Sequence, residues 1–260
     1  MKGKEKGFTL IEILFAVLVG MLLLGAAYVA MNAGQQTSAG VERKVAAQQD
    51  VRAAIQIMGL DLSMASYNPH YAVDMWFDLP PMGSIGNCNN PGNQTLRGIR
   101  EATPTAITLQ MDIDESNLIG DEQGEIIRYN YNFEGQNRFV TRETANCDNS
   151  RLLTRNPGAA FPFLGDSAAS ASERPRSVRV INCEPDAGVV NGRGQPAILR
   201  YFNAIGPGQE LYPGENLNDI PNIRRIDITL AVETNEVDPA TKTRKRMIYS
   251  TSVLVRNHAF

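Results

Sequence analysis

Residues 8–31 form a nearly unbroken apolar run whose only charge is Glu12, preceded by a short basic leader at residues 1–7. The run is long enough for about 20 residues of helix to cross a bilayer core. Lys2, Lys4 and Lys6 lie on one side of it, which favours a cytoplasmic N-terminus and export of the chain beyond the run. A carboxylate in lipid is costly, so Glu12 reads as a functional site with a partner elsewhere. Among apolar side chains of neighbouring helices the cost persists unless an ammonium group offsets it. An ordinary signal peptide has an apolar core of roughly 7 to 15 residues and a small-residue cleavage site. Gly25-Ala26-Ala27 supplies such a site, but Glu12 interrupts the core at its start and the run is longer. A plain uncleaved anchor leaves Glu12 without a purpose.

Gly7-Phe8-Thr9-Leu10-Ile11-Glu12 resembles the N-terminal signature of type IV prepilins and type II secretion pseudopilins. The resemblance implies that a prepilin peptidase cuts after Gly7 and that the new N-terminal amine, on Phe8, is methylated. It implies that Glu12 pairs with the Phe8 ammonium of an adjacent subunit during assembly. Expected partners are the prepilin peptidase, other minor pilins, the major pilin and an inner-membrane assembly platform. The expected location is a single pass through the inner membrane, with the C-terminal head in the periplasm and then on a pilus or pseudopilus.

Beyond the membrane run the helix is expected to continue through residues 32–67. Val51, Ile55, Met58 and Leu62 recur at helical spacing and share a face, and Val41 and Val45 suggest an earlier start. Pro69 predicts an end near Tyr67, and Gly34, Gly40 and Gly59 mark candidate bends. The segment Asp61-Leu62-Ser63-Met64-Ala65-Ser66-Tyr67 resembles the helix end of PilW-like minor pilins, in which the position of Ser66 is often glycine. The closing Val255-Arg256-Asn257 resembles the last strand of PilW-like and GspJ-like subunits.

Residues 68–260 read as a β-rich head. Alternation predicts strands at 105–111, 125–133, 138–142, 151–155, 177–183, 197–202, 225–232 and 245–257. The turn at Glu134-Gly135-Gln136-Asn137 makes a hairpin. A low-complexity linker near 165–177 divides the strands, so two small antiparallel sheets are expected. Residues 70–99 look irregular and anchored by Trp76 and Phe77, either as a covering loop or as a surface particular to this protein. The basic run 242–246 is most simply a solvated hairpin tip, and its sharper reading is a site for an acidic partner subunit.

Asp112, Asp114, Ser116 and the later acids of the stretch that runs to Glu125 offer hard oxygen ligands, so calcium is the one candidate cofactor, although the glycine of an EF-hand loop is missing. A solvated acidic turn is the simpler reading. Three cysteines, Cys88, Cys147 and Cys183, lie in the exported part, where disulfides persist. Cys147 and Cys183 each follow an asparagine near a strand end and form the favoured pair, leaving Cys88 free. The net charge of −3 gives no reason to expect nucleic acid. No nucleophile elbow, phosphate loop or zinc-protease motif occurs, so no catalytic residue is assigned and no enzyme is expected. The whole reads as an α+β, pilin-like fold, with one long N-terminal helix packed on antiparallel sheet. The implied function is a low-copy minor pilin that initiates, primes or caps a filament. A type II secretion pseudopilin and a filament-mounted, surface-binding head are the alternatives.

Overall fold

The computed structural model describes residues 7–79, 87–133, 138–155, 162–166, 178–238 and 241–259. The leader through Lys6, the Glu134-Gly135-Gln136-Asn137 turn and linker positions 167–177 lie outside the described residues.

Helix α1 spans Leu10–Met64, 55 residues, or about 80 Å at 1.5 Å per residue. It is continuous through Gly34, Gly40 and Gly59. Gly40 faces the Asp238 carboxylate and Gly59 faces Val253, each with room for a Cβ at ordinary contact distance. The helix buries Ala47, Val51, Ala54, Met58 and Leu62 as one stripe. Ile55 is half-buried, while Val41 and Val45 stay exposed, so the apolar core of the head begins to bury the helix only at Ala47, beyond the polar contacts at Gly40 and Arg43. Alanines in the stripe let the sheets approach closely, which apolar periodicity weighted toward large residues does not reveal.

Two antiparallel sheets follow. The first contains β1 (Ile99–Ala102), β2 (Ala106–Gln110), β3 (Ile126–Asn132) and β4 (Arg138–Cys147) in that order. The C-terminal part of β4 pairs with β5 (Leu153–Arg155) and its N-terminal part with β6 (Pro162–Asp166). The second sheet contains β7 (Val178–Val180), β8 (Leu199–Phe202), β9 (Glu210–Leu211), β10 (Arg225–Thr234) and β11 (Arg246–Leu254). Its order is β11-β10-β8-β9, and β7 also pairs with β10. Alternation places Ile226, Ile228, Leu230 and Val232 of β10 in the core. Residues of α1 and of both sheets join one apolar cluster. Two tyrosines bridge the sheets: Tyr131 Oη donates to Val180 O at 2.9 Å and Tyr201 Oη to Thr103 O at 2.7 Å.

One polar contact fixes α1 against the first sheet. Asp61 Oδ2 accepts from Tyr129 Oη at 2.5 Å and from Arg142 Nε at 2.8 Å. Tyr129 is fully buried, and burial, then the Asp61 carboxylate, push its hydroxyl pKa upward. Removing the acceptor strands the phenol proton and leaves the half-buried Arg142 Nε only Tyr129 Oη, at 3.1 Å, as acceptor. Asp61→Ala is expected to cost about 3 kcal/mol, readable as a drop in the denaturant midpoint. A cost under about 0.5 kcal/mol, the range of an ordinary surface substitution, would contradict the clamp.

The end of α1 is held by a second polar hub. Ala65 is extended and Ser66 adopts φ 64°, so the helix stops before Pro69. Gly98 N–H donates to Ser66 Oγ at 3.0 Å, and Ser66 Oγ lies 2.7 Å from His258 Nδ1. The serine proton therefore goes to Nδ1, and Nε2–H donates to Ile220 O at 2.8 Å. A Cβ at Gly98 would lie 2.6 Å from Ser66 Cα, so the approach needs glycine there. Serine at position 66 accepts a strained backbone and in return ties the helix end to the C-terminus.

Candidate assembly site

The first residues of α1 form a complete capping box. Thr9 is the N-cap, its Oγ1 accepting from Glu12 N at 3.3 Å. Glu12 Oε2 accepts from Thr9 N and from Thr9 Oγ1, each at 3.1 Å. Threonine followed three residues later by glutamate is the sequence signature of this cap, and here it gives Glu12 a local partner in the single chain. The carboxylate thus closes the helix start. Phe8 precedes the cap and is 83% exposed.

From Leu10 to Met31 every large apolar side chain is exposed. The helix is long and apolar enough to cross a membrane. Phe8 and Glu12 therefore sit together at the tip of an uncovered apolar rod. Residues 2–28 match the family model described as the prokaryotic N-terminal methylation motif. The chain fits a type IV pilin-like protein. No curated protein and no solved structure matches it. For a pilin-like chain the motif implies processing by a prepilin peptidase and assembly with pilins, and the single apolar helix fits a membrane anchor.

The acidic loop between β2 and β3 is more enclosed than an open turn. Carboxylate oxygens of Asp112, Asp114 and Glu125 all lie within 4.8 Å of one another. Asp112 and Glu125 are fully buried, and Glu125 is the one of the later acids that joins the two aspartates. The oxygens accept backbone N–H groups: Ser116 and Asn117 donate to Asp112 at 3.1 and 3.0 Å, and Ser116 donates to Asp114 at 3.0 Å. Ile113 and Gly120 donate to Glu125 at 3.0 and 2.7 Å. The set has the hard-oxygen chemistry of a calcium site. Its hydrogen bonds are already those of a carboxylate-ordered loop.

Burial holds the His258 imidazole down at about 4, with Arg97 and Arg224 acting the same way. Burial lifts the Glu125 carboxyl to about 7 against its backbone donors. As pH falls through about 6.5 toward about 4, the unfolded histidine takes a proton that the folded one refuses, so stability drops by about 3 kcal/mol. Glu125 works in the opposite sense. Its unfolded carboxyl ionises above about 4.5 while the folded one keeps its proton until about 7, so stability drops as pH rises. The two slopes oppose each other over most of that window. Glu125→Gln should expose a melting temperature that climbs with pH between about 4.5 and 6.5, and His258→Asn the reverse. Parallel slopes in the two variants would contradict these assignments.

The expected pairing of Cys147 with Cys183 is corrected by the structure. Cys88 and Cys147 form the disulfide, with Cα atoms 6.4 Å apart, and Cys183 is free. The physical reason lies in the irregular segment. Trp76, Phe77 and Cys88 pack with Ile119, Ile126 and Leu153 in a second apolar cluster against the first sheet. Cys88 N donates to Arg151 O at 2.8 Å, which brings Cys88 beside the end of β4. Cys183 comes after β7 in the other sheet, where its N–H donates to Tyr131 Oη at 3.3 Å.

The hairpin tip between β10 and β11 is also less open than its charge run implies. Lys245 pairs with Asp238 at 3.3 Å, Arg246 pairs with Asp186 and with Glu233, and Arg244 Nε donates to Asn235 O. Arg43 of α1 reaches Glu236 at 2.7 Å. Most of the basic run is thus spent within the head.

Proposed function

We propose that this chain is a minor, PilW-like pilin that initiates, primes or caps a type IV pilus. The observation that carries the reading is the uncovered apolar half of α1, with Phe8 and Glu12 at its tip, attached to a two-sheet head. The exposed rod is a poor final state in water and a good one among like helices. Glu12 exchanges its local cap for the Phe8 ammonium of a neighbour, which sets axial register while the apolar faces supply the contact area. A head of this size crowds lateral packing, which favours low copy number over the role of abundant subunit. The reading assigns the head contacts with other minor pilins and no catalysis.

A type II secretion pseudopilin would use the same rod, and gene neighbourhood separates the two systems. The copy-number claim is tested by quantitative mass spectrometry of sheared filaments. The chain should be present at far lower abundance than the principal subunit. Equal abundance, or absence from filaments altogether, would contradict it.

A further inference from the structure

A cleft of about 450 Å³ opens at the end of α1, where the helix gives way to the irregular segment. Tyr67, Tyr71, Asp74, Trp76, Arg97 and Asn257 line it. Among the described residues eight non-glycine positions have positive φ, and four of them border this cleft. These are Ser66 at 64°, Tyr71 at 54°, Asp74 at 57° and Arg97 at 49°. A bulky residue in this region is a genuine outlier, and its backbone is strained.

Two of the four have a structural return. Ser66 joins the His258 hub, and Arg97 Nη1 donates to His258 O at 2.8 Å. The side chains of Tyr71 and Asp74 have none, although the Tyr71 backbone N–H donates to Asn68 O at 3.3 Å in a turn that the Asn68 side chain closes on Ala72. The Tyr71 side chain is 82% exposed, and neither side chain makes a hydrogen bond or ion pair among the described residues. Glycine at position 71 would serve the fold better. An exposed aromatic ring held in a strained backbone, at the mouth of a cleft, has a use outside the fold.

The chemistry of the lining narrows that use. Arg97 supplies donors, Asp74 supplies acceptors and Asn257 supplies both. Their two charges cancel, so the cleft favours no net charge in its occupant. Hydroxyl groups both donate and accept, and the ring faces of Tyr71 and Tyr67 offer planes for the apolar side of a sugar. We propose that this cleft binds a neutral glycan. The site lies about 80 Å along α1 from the apolar tip, clear of the segment given to filament packing. The inference goes beyond the filament reading and stands or falls without it.

Trp76 is the single tryptophan of the chain and lines the cleft, so its fluorescence reports the site directly. The experiment titrates the detergent-solubilised full chain with chitotetraose, cellotetraose and maltotetraose, and with a galacturonic acid tetramer as the charged counterpart. At least one neutral oligosaccharide should give a saturable change. Tyr71→Gly should weaken that binding by about tenfold, the loss of one stacked aromatic face, while the melting temperature holds or rises. No saturable signal with any neutral oligosaccharide, or a response to the galacturonate alone, would overturn the proposal. So would a Tyr71→Gly chain that binds like the parent or loses stability.

Discussion

Replacing both Cys88 and Cys147 by serine should lower stability by about 4 kcal/mol. The bond closes a loop with a sequence separation of 59, and chain-entropy reasoning gives that figure for a loop of this size. The damage should start in the second apolar cluster, where Met75, Trp76 and Phe77 depend on the bond to stay against Ile119, Ile126 and Leu153. Trp76 makes this visible, because its fluorescence should report an earlier denaturant midpoint than far-ultraviolet dichroism of α1. Cys183→Ser should change stability by no more than about 0.5 kcal/mol, as for a substitution away from any special feature. If Cys183→Ser were the costly change and the double variant harmless, the observed pairing would be wrong.

The second large effect concerns Glu12. Glu12→Gln should leave insertion and processing intact yet reduce incorporation into filaments by at least about a hundredfold. Glutamine still completes a capping box with Thr9, so the helix start survives while the charge is lost. An unpaired Phe8 ammonium among apolar helices would then cost several kcal/mol. Comparing membrane and sheared-filament fractions by immunoblot reads the effect. If Glu12→Gln assembles normally and Glu12→Ala does not, the residue acts through its cap and not through its charge.

The long helix and the antiparallel pairing were legible because each rests on periodicity, and the two-sheet division because a low-complexity linker separates the strands. Ile226, Ile228 and Leu230 alternate over a full strand, and the membrane run needs only length and hydropathy. The strands that escaped notice are short or chemically mixed. β1 carries Arg100 and Glu101 between apolar ends, β6 begins with Pro162, and β9 has two residues. Their pairing is imposed by neighbours, not by local preference.

At the assembly tip, Gly7, Phe8 and Glu12 stand in one contiguous motif, so spacing alone was informative. The capping role of Glu12 was equally present in the Thr9-to-Glu12 spacing and is a second use of the same residue. The disulfide was not legible. Which cysteine meets Cys147 depends on where the irregular segment folds back, and Trp76 and Phe77 settle that through tertiary packing. At the acidic loop Glu125 was one of several later acids, and the return of the chain into β3 is what singles it out beside Asp112. The strain at Tyr71 has no sequence signal, since tyrosine does not announce a positive φ, whereas aspartate at position 74 tolerates one.

The most direct measurement is the mass of the N-terminal peptide of the chain recovered from native membranes. The account predicts a mature chain that begins at Phe8 and carries one methyl group on its amine. A chain that retains Met1, or one cut near Ala27, would contradict it. Glu12 would then have no incoming ammonium to meet, and the exposed half of α1 would be only an anchor.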